Sequence, residues 1–142
     1  MPRTHRRNTP LRLGRVAALA LGLPLIVDAS PHLHCQLDYG GQTQVLDIRP
    51  QTDPYAARPV SIGDHFRFKA VAIGDDSRVD YVKIHVHYLT PRQPMLLQHA
   101  TYLAPAPTAA TDDRTLTGDQ RLYSPDLGRE LDYRCALRET AP

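Results

Sequence analysis

The feature that most constrains this chain is a two-residue alternation of apolar and polar side chains. It recurs between turn signals from residue 32 onward, and no stretch there keeps a 3.6-residue apolar period for long. A strand sends successive side chains to opposite faces, so such alternation marks half-buried strands of antiparallel sheets. Residues 32–39 put Leu33, Cys35, Leu37 and Tyr39 on one face and His32, His34, Gln36 and Asp38 on the other. Gly40-Gly41 turns the chain, and residues 43–48 return as a hairpin partner. Residues 49–59 hold three prolines and little apolar periodicity, which reads as a loop crossing between sheets.

Three longer strands follow, over 65–73, 79–89 and 95–103, joined by turns at 74–77 and 90–94 into an antiparallel meander. Residues 104–113 are small, polar and Pro-containing, the pattern of a flexible loop, with short pairing expected around Leu116 and over 121–123. After a turn at 124–128 the last strand alternates cleanly. Leu131, Tyr133, Cys135 and Leu137 face one way, and Glu130, Asp132, Arg134 and Arg138 the other. Seven or eight short strands with one cysteine pair predict an all-β, single-domain β-sandwich. LDYRC, with Tyr133 two residues before Cys135, resembles the tyrosine corner of immunoglobulin domains. That resemblance covers one corner and implies an immunoglobulin-like architecture.

The first fifteen residues carry five arginines and no acid, and an apolar run over 16–27 follows, which is the layout of a signal peptide. The run has 12 residues and includes Gly22 and Pro24. A spanning helix takes about 20 apolar residues, so no permanent membrane anchor is expected. Val27 and Ala29 fit the small-residue positions of a cleavage site, predicting removal of residues 1–29 and a mature domain over 30–142. Arg6-Arg7 lacks the flanking residues of a twin-arginine signal, and His34 before Cys35 is wrong for a lipid-anchored cysteine. The expected destination is the periplasm or the exterior. Cleavage removes five of the 17 Lys and Arg residues but one of the 15 Asp and Glu residues, leaving a formal net charge of −2. The whole-chain isoelectric point near 8.7 therefore reflects mainly the leader, and nucleic-acid binding through a basic surface loses its premise.

Cys35 and Cys135 both survive processing and sit on the apolar faces of their strands, so a structural disulfide is expected. Closing a loop of about 100 residues stabilises by roughly 4–5 kcal/mol in the chain-entropy model.

PHLHC, residues 31–35, has the composition of a metal site. An extended backbone, however, turns His32 and His34 away from Cys35, so the three side chains do not converge. A copper site at a free N-terminus is disfavoured as well, because Pro31 lacks the amide hydrogen such a site gives up. The histidine pair has an echo in His85 and His87, in the row Tyr81, Lys83, His85, His87. Imidazoles two apart on a strand share a face and ligate zinc or copper, and four would meet if the two strands were neighbours. The plainer reading is solvated histidines opposite a core row, since Lys83 adds a positive charge there and no acidic ligand stands close in sequence.

Asp75-Asp76 and Asp112-Asp113 have the composition of calcium ligands but are more simply turn acids. His65 and His99 have no accompanying nucleophile elbow, and no glycine-rich phosphate loop is present, so no enzyme is expected. Phe66 and Phe68 fill a core row, while Arg67 and Lys69 alternate with them. Together with Lys83 and Arg78 these cations form a candidate patch for an acidic protein or an anionic glycan. The expected function is a non-catalytic binding module, with copper or zinc binding by His32, His34, His85 and His87 as the second reading.

Overall fold

The computed structural model describes residues 29–140. The leader expected over 1–29 lies outside the described residues apart from Ala29. Among the described residues all regular structure is strand, and no helix is long and apolar enough to cross a membrane. Eight strands run in chain order: β1 Ser30–Tyr39, β2 Gln42–Ile48, β3 Val60–Ile62, β4 Phe66–Gly74, β5 Val79–Leu89, β6 Pro94–Leu103, β7 Gln120–Tyr123 and β8 Glu130–Thr140. They form two antiparallel sheets of four strands, ordered β2-β1-β8-β7 and β3-β4-β5-β6.

The alternation is realised as written. Leu33, Cys35, Leu37, Leu131, Tyr133, Cys135 and Leu137 of the first sheet share one buried cluster with Phe66, Phe68, Val82, Ile84 and Val86 of the second. The arrangement is therefore sandwich-like, with the polar rows turned outward on both sides. β1 and β2 are joined by Gly40 and Gly41 at φ 58° and 78°, the left-handed pair that a two-residue hairpin turn of matching twist requires.

The disulfide forms between Cys35 and Cys135, whose Cα atoms lie 4.1 Å apart. The two residues face each other directly in the β1–β8 pairing. The N–H of Cys135 donates to Thr117 Oγ1, and its carbonyl accepts from the N–H groups of Leu116 and Thr117. Both backbone groups thus point away from β1, which makes this a non-hydrogen-bonded pair, the position at which opposed Cα atoms come closest.

Two features of this geometry differ from those of immunoglobulin domains. The bridge joins neighbouring strands within one sheet rather than crossing between sheets. The Tyr133 hydroxyl donates to Gln98 Oε1 of β6 at 2.7 Å, a link to the opposite sheet, where a tyrosine corner bonds back to upstream backbone.

Residues 104–119 are tied along β8 rather than hanging loose. The N–H of Thr108 donates to the Leu137 carbonyl, and Arg138 donates to the Thr111 carbonyl. β3 was not expected from the sequence; its three residues follow Pro59 and pair with β4 through Val60 and Phe68, and Ile62 and Phe66.

Because the bridge holds the first strand to the last, its removal releases the longest loop the domain contains. A Cys35→Ala/Cys135→Ala variant should lose about 2–5 kcal/mol in urea unfolding. A midpoint unchanged from the parent would show that strand pairing alone closes the fold.

Candidate functional site

On the outer face of the first sheet, the β1–β2 hairpin sets His34 directly opposite Asp47. Nδ1 of His34 lies 2.6 Å from Oδ1 of Asp47, and Nε2 of His32 lies 3.7 Å from the same oxygen. The other ring nitrogen of His34, Nε2, is 3.5 Å from Oδ1 of Asp113. Asp113 in turn accepts a short hydrogen bond from Nη2 of Arg138. A chain of contacts therefore runs His32, Asp47, His34, Asp113, Arg138 across β2, β1, β8 and the segment packed beside β8. Among the described residues, His32, His34 and Asp47 are the group with three ligand atoms close enough to share an ion, all within 4.8 Å of one another.

The outer face of the second sheet is built differently. Its rungs pair Lys69 with His85 and His85 with His99, then Arg67 with His87, then Val71 with Lys83 and Lys83 with Thr101. The rings of His85 and His99 stack with centroids 4.5 Å apart and planes 11° from parallel. Nζ of Lys83 sits 5.0 Å from the centre of the Tyr81 ring, a cation–π placement.

Burial of the His85 ring, followed by the nearby His99, His87, Lys69 and Lys83, holds its pKa below the ordinary histidine value. Its Nδ1 is shielded from solvent and finds no hydrogen-bond partner among the described residues.

The two faces also differ in how charge is compensated. On the first sheet Arg121 grips Asp132 with two hydrogen bonds of 2.8 and 3.0 Å, Arg134 meets Asp38 at 2.9 Å, and Arg138 meets Asp113. On the second sheet, among the described residues, Arg67, Lys69 and Lys83 form no ion pair with a carboxylate. Arg78 does not join them. It lies at the turn before β5 and pairs with Asp80 at 3.2 Å.

Of the expected metal ligands, His32 and His34 come together, and so do His85 and His87, but the two pairs lie on opposite outer faces. β1 and β5 belong to different sheets, so a four-imidazole centre does not form. Asp47 supplies an acid beside the first pair that the sequence reading did not name. Its position was available in the sequence, because a hairpin symmetric about Gly40-Gly41 places residue 47 opposite residue 34. Asp75 and Asp112 are turn acids: each carboxylate accepts hydrogen bonds from residues two or three further on, Ser77 and Arg78 for Asp75 and Arg114 for Asp112, which hold both pKa values below the usual carboxylate range. Comparison with protein-family models, curated proteins and solved structures finds no match to this chain.

Protonation of His85 is disfavoured in the fold by burial and by His99 and His87, with Lys69 facing it from β4 and Lys83 from its own strand. The unfolded chain therefore takes up that proton first. The resulting contribution is present above the ordinary histidine value near 6.5 and is lost as pH falls through the lower folded value. His85→Gln should flatten the fall in unfolding free energy between neutral and mildly acidic pH. An equally steep fall in the variant would contradict this assignment.

Proposed function

We propose that this chain is an exported module, periplasmic or secreted, that works by binding rather than by catalysis. It engages an acidic segment of a protein partner through the outer face of the second sheet. The observation that carries this reading is the contrast in compensation. Among the described residues, Arg67, Lys69 and Lys83 stand without carboxylate partners, while the basic residues along β7 and β8 on the opposite face are paired. Uncompensated cations clustered on a half-exposed surface attract anions and steer their approach.

An acidic polypeptide suits the spacing. Arg67 and Lys69 are two residues apart on β4, as are Lys83, His85 and His87 on β5, so the cationic and imidazole groups repeat every 6–7 Å or so along each strand. Alternate residues of an extended peptide repeat at the same interval. The disulfide and the arginine-rich, acid-free first fifteen residues, followed by an apolar run, support export. The likeness to immunoglobulin domains is kept only in the broad sense of two packed antiparallel sheets presenting a binding surface.

Immobilised poly-L-glutamate should retain the protein at low ionic strength and release it as salt is raised. An Arg67→Glu/Lys69→Glu/Lys83→Glu variant should bind roughly tenfold more weakly or worse, because like charges then meet across the contact. Retention unaffected by salt or by the three substitutions would refute the reading. Preferential retention on heparin would replace the protein partner with an anionic glycan.

A further inference from the structure

We propose that His32, His34 and Asp47 form a binding site for one divalent zinc-class metal ion, with at least one coordination position left open to solvent. The site lies on the outer face of the first sheet and is independent of the cationic face on the second.

Three arguments carry it. The donor set is two imidazoles and one carboxylate, the mixture used by zinc centres that keep an open position. The ligands come from a β-hairpin whose register is set by its glycine turn and by the β1–β8 pairing, so their backbones are positioned before any ion arrives. The ligand atoms also lie within 4.8 Å of one another, close enough to share one ion. Bonds of about 2.0–2.2 Å in a tetrahedron separate ligand atoms by about 3.3–3.5 Å. Here one carboxylate oxygen lies 2.6 Å from His34 Nδ1 and 3.7 Å from His32 Nε2. The Asp47 side chain is 59% exposed, so a small rotation is enough to open the shorter distance.

The surroundings point the same way. A metal-ligating histidine characteristically directs its other ring nitrogen at a carboxylate, which fixes the tautomer and the ring orientation. His34 turns Nδ1 toward Asp47 and Nε2 toward Asp113, and Asp113 is itself held by Arg138. Ligation through Nδ1 leaves the ring hydrogen on Nε2, the nitrogen that faces Asp113, so the surroundings suit the tautomer a bound ion requires. Arg138 does not compete for the ion's position, because its Nη2 is engaged by Asp113 and the Thr111 carbonyl.

The test is calorimetric titration of tag-free protein, disulfide intact, with zinc chloride, followed by X-ray absorption of the loaded protein. The expected result is saturable uptake of one equivalent, with two imidazoles and an oxygen ligand in the spectrum. His34→Ala and Asp47→Asn should each weaken uptake by at least about tenfold, and Asp113→Asn by roughly 10–100-fold through loss of the tautomer control. His85→Ala/His87→Ala should leave uptake unchanged. Asp47→Asn alters an exposed side chain and keeps its shape, so its fold, checked by circular dichroism, should match the parent. Absence of saturable uptake would overturn the site, as would uptake insensitive to His34→Ala and Asp47→Asn. Uptake lost in the His85→Ala/His87→Ala variant would place the metal on the other sheet.

Discussion

Pairing of the first strand with the last, locked by the Cys35–Cys135 bridge, is the constraint on which the rest of this structure depends. β1 and β8 are the central strands of their sheet, with β2 and β7 outside them. Each hairpin is local, but the β1–β8 contact joins residues 100 apart in sequence, and forming it costs far more loop-closure entropy than any turn. The disulfide removes that cost from the folding equilibrium. It also fixes register: with Cys35 opposite Cys135, a slip of one residue would turn every leucine of β1 outward.

The same register decides what is exposed. Once the thiols and leucines of β1 face inward, His32 and His34 must face outward, and the hairpin brings Asp47 alongside them. On β4 and β5 the phenylalanines and valines face inward, which leaves Arg67, Lys69, Lys83, His85 and His87 on the opposite outer surface. One backbone periodicity thus produces two chemically distinct faces. One is a carboxylate–imidazole chain with its arginines compensated, and the other is a cationic surface with stacked imidazoles.

The strands, their faces and the inward cysteines were legible because period-two alternation reports directly on which side chains share a face. Neighbour relations between distant strands were not. Alternation says that Cys35 and Cys135 both point into a core, but it does not distinguish partners side by side in one sheet from partners across two. That is why an inter-sheet bridge and a four-histidine centre were both compatible with the sequence. Asp47 was within reach of the sequence, since the glycine turn sets the register that places it. Asp113 was not, because its approach to His34 depends on the path of residues 104–119 along β8, which only tertiary hydrogen bonds determine. β3 escaped notice because three residues after a proline carry too little periodicity to read as a strand.

The most direct test of this account is thiol counting on the unreduced protein, denatured and treated with an alkylating reagent, followed by peptide mapping without reductant. The account predicts no alkylated cysteine and one linked fragment containing Cys35 and Cys135. Two alkylated cysteines would contradict it, because the pairing of first and last strands that divides the thiols from the imidazoles would then lack its covalent lock.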